Sequence, residues 1–374
     1  MPAVARGLFV FRTLGERPSG DWGYGPFGSK RRRKQVKVNT TVVCGMRPTG
    51  TPHLGNYLSI MRDAVSMQRT YHCYVFVADY HALTSAVDPK SLRANTLEVV
   101  RTFLAAGFDP DETVLFAQSD VPEIAEIQLL LSMVASKGEL ERCTTFKEKA
   151  HSQPDNVNLG LLGYPVLMAA DILAHRANYV LIGEDQLQHL EMARNFASRF
   201  NHRYGTDLPL PQPLRQKPIR VPGLDGTEKM GKTEGNSINL TDDPDTIRRK
   251  VMRAVTDSDP ITHSFTLAGK PNILSLHTYV STPEEVKRLE QEMKEGRAGY
   301  KEAKEVLADN IIRMLAPIQE RLKHLQGRDD YIEQVLAEGA EKARESARRT
   351  LAEMRAAMGL SRFQRAKSAV GAAA

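Results

Sequence analysis

Two short segments carry residues whose types and spacing suit phosphate chemistry. The first is Arg47-Pro-Thr-Gly-Thr-Pro-His-Leu-Gly-Asn56. It follows a β-branched run and opens an amphipathic pattern, so the free N–H groups and positive end of a helix would face a bound anion. Pro48 and Pro52 stiffen the turn around Thr49, and Gly50 lets it bend. Gly55 falls on the first helical turn, where the lack of a side chain would let an adenine ring lie on the backbone. His53 and Asn56 can donate to phosphate oxygens. Taken alone, the segment also reads as a Pro/Gly-rich loop with a surface histidine.

The second segment is Lys229-Met-Gly-Lys-Thr233, where Lys229 and Lys232 stand three apart and Met230, Gly231 and Thr233 fill the loop. Two ammonium groups on a movable segment can neutralise a leaving pyrophosphate, a reaction that needs positioning and charge more than covalent help. Alone it is a solvated basic linker flanked by Glu228 and Glu234. Together the segments describe ATP-dependent activation of a carboxylate, without saying which.

A third element lies between them, Leu161-Leu-Gly-Tyr-Pro-Val-Leu-Met-Ala-Ala-Asp-Ile-Leu173. Pro165 suits a helix start, and the helix is apolar apart from Asp171. An unpaired buried carboxylate is costly, so Asp171 needs a donor: Arg176, Lys147 or a ligand N–H. Tyr164 and Met168 lie seven and three residues before it, on about one helical face. A hydroxyl, a soft apolar wall and an acceptor suit an indole, which offers one N–H on a flat apolar body.

The elements that must hold these segments alternate. Thr40–Gly45, Cys73–Asp79, Val114–Gln118 and Val180–Gly183 read as strands; helices follow from Leu54, over Ser91–Ala106 before Gly107, and over Gln186–Phe200. This order predicts an α/β fold, a doubly wound, Rossmann-like parallel sheet over 39–239 with a helical insertion at about 120–160. After about 240 the strands vanish. Asp243-Pro244 caps a helix over Asp245–Val255, and helices at about 283–296, 301–325 and 330–358 predict a small all-α domain over 240–374.

Composition limits the rest. The 374 residues are 41% hydrophobic and 26% charged, ordinary for a globular chain. No run is apolar enough for a membrane helix. Cys44, Cys73 and Cys143 are too few and too scattered for a metal framework, and no protein-ligated metal is expected. The net charge of +6 is local: residues 1–38 hold nine Lys/Arg against Glu16 and Asp21, which leaves the remainder near −1. That basic segment is read as a disordered extension, with an RNA-binding arm or an organellar transit peptide as alternatives. A cytoplasmic location is expected unless it is a transit peptide.

The cradle and the lysine loop resemble the paired signature motifs of class I aminoacyl-tRNA synthetases. With Ala78–Thr84, Thr145–Lys149, Tyr164–Asp171, Gly183–Gln186 and Ala316–Arg321 added, residues 39–360 resemble bacterial-type tryptophan–tRNA ligases. The resemblance implies tryptophan activation by Mg2+-bearing ATP, transfer to tRNA(Trp), and a homodimer. It implies that Asp171 accepts the indole N–H and that Tyr164 and Gln186 hold the α-ammonium near His81. Gly183, Glu184 and Asp185 would meet the ATP ribose, Val221 would pack on adenine, and Lys149 would assist Lys229 and Lys232. The helical domain would bind the anticodon.

Arg47 departs from the Gln common in the family, and Val43 stands where an aromatic often stacks on the indole. Met168 replaces the Gln typical of the tyrosine enzymes, the nearest rival. A nucleotidyltransferase making a small cofactor would not need the helical domain, and a non-catalytic RNA-binding paralogue would be expected to lose His53, Lys229 or Lys232. Apolar residues at Ile127–Met133 are compatible with an interface or with core.

Overall fold

A computed structural model describes residues 37–360, apart from 86, 215–218, 220, 228, 232–234, 257–260, 263 and 270–271. The basic segment up to residue 36, together with Lys232 and Thr233, lies outside the described residues.

Five parallel strands form one sheet in the order β3-β2-β1-β4-β5: β1 Thr41–Met46, β2 His72–Val77, β3 Thr113–Ala117, β4 Tyr179–Val180 and β5 Gln212–Pro213. Strand order reverses between β1 and β4, so the cradle and Gly183–Gln186 leave the sheet side by side at its carboxyl end, where such folds bind ligands. The expected strands are present to within a few residues. The two-residue β5 was not anticipated, because it is too short to show a pattern.

Alternating side chains divide the sheet between two cores. Cys44, Met46, Val75 and Val77 face a core shared with Leu54, Leu58, Phe103 and the later Leu307 and Ile311. Val43, Phe76 and Phe116 face the other, shared with Ala170, Leu173, Phe196 and Phe200. The insertion after β3 holds the helices Glu123–Ser132, Lys137–Arg142 and Thr144–Ser152.

The C-terminal helices Pro244–Arg253, Pro283–Lys294, Tyr300–Leu325 and Asp329–Ala357 match the expected spans, and the Asp243 cap is present (Thr246 N to Asp243 Oδ1, 2.9 Å). These helices join both cores, and the described residues form one compact unit. The last helix lies directly on β3, and Thr350 Oγ1 donates to Ala174 O at 2.9 Å. The helical segment is therefore packed on the sheet, not tethered to it.

The Tyr164 helix starts earlier than Pro165 suggests. It runs Leu159–Leu173, capped by Asn158 (Leu161 N to Oδ1, 2.9 Å). An asparagine side chain satisfies the first-turn donors, and Pro165 sits inside, leaving the Leu161 carbonyl without its usual donor four residues on. All three cysteines are free and buried.

Candidate active site

The cradle's helix begins as Leu54–Asn56, passes through a π turn at Tyr57–Met61 and resumes as Arg62–Met67. Such π turns occur often at functional sites. Asn56 Oδ1 accepts from His53 N at 3.0 Å, which leaves the Asn56 amide N–H groups for a ligand. Pro48 and His53 are buried, whereas Arg47 and Thr49 are exposed. A Cβ on Gly55 would come within 2.8 Å of His53 Cε1 and 3.5 Å of Met230 Cβ. The missing side chain therefore makes room for the His53 ring, with Met230 of the lysine loop at ordinary contact distance.

The cradle is joined through the backbone to the segment that follows the lysine loop. Leu54 N donates to Ile238 O at 2.8 Å, Leu240 N to Pro52 O at 3.2 Å, and His53 forms an isolated antiparallel bridge with Asn239. Met230 N donates to Val221 O at 2.7 Å, and both side chains are buried in the first core.

Asn236 anchors the loop from within. Its Oδ1 accepts from Gly231 N at 2.8 Å, and its Nδ2 donates to Asp225 Oδ1 at 3.0 Å and to Thr227 Oγ1 at 2.9 Å. Asp225, Thr227 and Asn236 were missed in the sequence. Their only signal was a Gly/Asx-rich context, common to many loops.

Lys229 Nζ lies 3.4 Å from Asp185 Oδ2, so the loop reaches the end of β4. From there a polar chain runs inward. Gln186 Nε2 donates to Asp185 Oδ2 at 2.9 Å; His189 Nδ1 donates to Gln186 Oε1 at 2.9 Å; Tyr164 Oη donates to His189 Nε2 at 2.7 Å. Burial works to raise the Asp185 carboxyl, but the Gln186 amide and the Lys229 ammonium outweigh it and hold it below the usual carboxylate range.

Burial pulls His189 down to about 4, so it is neutral near pH 7 and both hydrogen bonds fit one tautomer. Burial pushes the Tyr164 phenol up, which keeps it a donor. His189 was not singled out in the sequence, although a buried polar residue three positions after Gln186 on an amphipathic helix is a usable signal. Glu184 is exposed at the same helix entry, next to Gly183.

Lys149 Nζ sits 4.7 Å from the centroid of the Tyr164 ring and 3.4 Å from Thr84 Oγ1. Burial first, and then the neighbouring Arg47 guanidinium, bring its ammonium down to about 8. Arg47, Lys149 and Lys229 thus form the cationic side of the site.

Asp171 is 1% exposed. Its Oδ2 lies 2.8 Å from His81 Nε2, and its Oδ1 accepts from Gln118 Nε2 at 2.7 Å. Burial pushes this carboxyl up, opposed by His81 and Gln118. Arg176 is not its partner, since that side chain pairs with Asp207 and Glu353, each at 2.9 Å. Gln118, the residue just after β3, was not recognised as the second partner.

His81 also meets the Tyr164 ring edge-on, with centroids 6.4 Å apart. Met168 is half-buried on the same helix, while Val43 is buried inside the second core. The structure therefore brings together His81, Tyr164 and Asp171, and separately links Tyr164 to Gln186 through His189.

A parallel sheet with a phosphate cradle after β1, joined to a lysine loop that returns across it, defines a class I nucleotide-binding catalytic domain. Residues 34–319 match the family model described as tRNA synthetases class I (W and Y). The tryptophan–tRNA ligase of Porphyromonas gingivalis is 47% identical over 324 residues, covering 85% of this chain and 99% of its own. That of Caldanaerobacter subterraneus is 42% identical over 326 residues, covering 85% and 98%.

The tryptophanyl-tRNA synthetase of Campylobacter jejuni, solved with ADP and tryptophan, superposes with a TM-score of 0.74 at 31% identity, covering 86% of this chain and 100% of that one. A tyrosyl-tRNA synthetase from Archaeoglobus fulgidus shares the fold alone, with a TM-score of 0.60 at 19% identity. The chain belongs to the tryptophan–tRNA ligase family of class I synthetases.

Proposed function

We propose that this chain activates L-tryptophan with ATP to give tryptophanyl-adenylate and pyrophosphate, then transfers tryptophan to the 2′-hydroxyl of the terminal adenosine of tRNA(Trp). The observation that carries the substrate is Asp171: a buried carboxylate at the carboxyl end of the sheet, steadied by His81 and Gln118, with lone pairs left for one indole N–H. Tyr164 and Gln186 are held by His189 with their oxygens available to the α-ammonium.

The tryptophan carboxylate attacks the α-phosphate in line, and no enzyme nucleophile is needed. His53, Asn56, Lys149, Lys229 and Lys232 orient the triphosphate and offset charge on the departing pyrophosphate. Pro48, Thr49, Gly55, Val221, Met230, Gly231 and Thr233 shape the nucleotide's bed, with Gly183, Glu184 and Asp185 at the ribose. The protein groups on the phosphate side are the cations Arg47, Lys149 and Lys229; a Mg2+ bound with ATP would supply further charge neutralisation beside them. Met168 and Val43 complete the apolar side of the substrate pocket.

The helices after residue 240 would meet the tRNA. Leu129 and Met133 are 57% and 52% exposed beside buried Ile127, Leu130 and Leu131, which supports a homodimer through that helix face. Sedimentation of wild type and Leu129→Glu tests it, with a monomeric variant expected. No helix among the described residues is long and apolar enough to cross a membrane. The proposed location is the cytoplasm, or an organelle if residues 1–38 act as a transit peptide. ATP–pyrophosphate exchange across the amino acids, with and without residues 1–38, tests the activity. Tryptophan-dependent exchange in both forms is expected; exchange driven only by tyrosine would overturn the assignment.

A further inference from the structure

We infer that Phe76 is a specificity-determining residue whose ring forms the aromatic floor of the tryptophan side-chain pocket. The inference rests on the pocket placement proposed above. Along β1, Val42, Val43, Cys44 and Met46 are buried, whereas Gly45 is exposed, although it lies on the central strand of the sheet. An exposed position there marks an opening in the layer that covers the sheet.

Phe76 is the register partner of Gly45 on β2 and leans across it. A Cβ on Gly45 would lie 2.5 Å from Phe76 Cζ, 2.8 Å from Cε2 and 2.9 Å from Cε1. The glycine is therefore the condition for the ring's position. Phe116, fully buried, stands on the other side of Phe76 with centroids 5.7 Å apart at 28°, so the ring is held from behind.

The opening and the indole acceptor share one face. Gln118 follows Phe116 by two positions and donates to Asp171. Phe76 and Phe116 are register partners on one side of the sheet, and Ala170, next to Asp171, packs in the same core as both rings. Phe76 remains 5% exposed, whereas Val43 is 1% exposed and offers a ligand less surface. A flat apolar body whose N–H points at Asp171 would rest on the tip of the Phe76 ring, in the offset or edge-on contact that aromatic pairs prefer.

The test is ATP–pyrophosphate exchange with Phe76→Leu and, from the opposite strand, Gly45→Ala, which displaces the ring without removing it. Both should raise KM for tryptophan about tenfold, on the scale of about 1.4 kcal/mol, and leave KM for ATP within about twofold. KM does not depend on the fraction of active enzyme, so partial misfolding does not mimic this split.

An unchanged tryptophan KM in both variants would overturn the inference. Equal rises in the two KM values would also overturn it, because the ring would then act only as core packing. Asp171→Asn separates the two levels: if it lowers tryptophan selectivity while the Phe76 and Gly45 variants do nothing, this inference fails and the pocket reading stands. If Asp171→Asn leaves selectivity unchanged, the pocket reading itself fails.

Discussion

Replacing Asp171 by Asn removes a charge from the pocket with little change of shape. In the wild type, Gln118 Nε2 and His81 Nε2 both point at the carboxylate, at 2.7 and 2.8 Å. An Asn can keep its Oδ1 toward Gln118 and turn its amide toward His81, whose ring can present an acceptor nitrogen by changing tautomer. Both protein hydrogen bonds are then retained, and stability should change by less than about 1 kcal/mol.

What the variant loses is a charged acceptor for the ligand. A hydrogen bond to a charged group contributes about 1.5–3 kcal/mol, so kcat/KM for tryptophan should fall about tenfold to about a hundredfold. Phenylalanine has no N–H to offer and should be unaffected, so selectivity falls by the same factor. Asp171→Ala is a harsher change. It strands two buried donors at about 1–3 kcal/mol each and lowers stability as well.

Exchange assays with both amino acids, paired with urea denaturation of each variant, separate the two effects. A folded Asp171→Asn enzyme with selectivity within about threefold of wild type, or about 0.65 kcal/mol, would refute the assignment of the indole acceptor.

Removing either loop lysine, Lys229→Ala or Lys232→Ala, should slow single-turnover adenylate formation about a hundredfold while sparing tryptophan affinity; an unaltered rate would remove that lysine from the reaction. Lys149 gives a pH signature. With its ammonium at about 8 in the free enzyme, its charged form is lost as pH rises through that value. ATP affinity should therefore fall about tenfold between pH 7 and 9, and Lys149→Met should flatten that profile. Gly339→Ala tests the contact between the last helix and the sheet. A Cβ there would lie 1.8 Å from the Leu115 carbonyl oxygen, and since backbone must move, a loss of about 3 kcal/mol is expected by denaturation.

The legible parts of the sequence were those in which a local signal and a tertiary role coincide. The Pro/Gly turn of the cradle and the Asp243 cap each show within a few neighbours, and β1 to β3 carry enough alternating bulk to show through. The strand order was also within reach, because alternating strands and helices leave few right-handed arrangements. Short β5, the Asn158 start of the Tyr164 helix and the partners of Asp171 were not. Gln118 lies 53 residues from Asp171 and His81 lies 90 away, and no local pattern announces such a pairing.

The same distinction bears on how the two ligands communicate. Neither phosphate motif contains Asp185, Gln186, His189 or Tyr164, yet these residues form a polar route between Lys229 and the substrate helix. A phosphate that draws Lys229 away from Asp185 would remove one of the influences that keeps that carboxyl low and free the oxygen that Gln186 now shares. Asp185 is solvent-exposed, so water can take the place of Gln186 there when that amide turns toward the tryptophan ammonium. ATP binding should therefore sharpen tryptophan binding, and by reciprocity tryptophan should tighten ATP by the same factor. Gln186→Glu should abolish that mutual effect in equilibrium binding measurements, because a second carboxylate beside Asp185 would hold Lys229 in place. A variant that kept the full reciprocal effect would show that the two sites are linked through some other part of the fold.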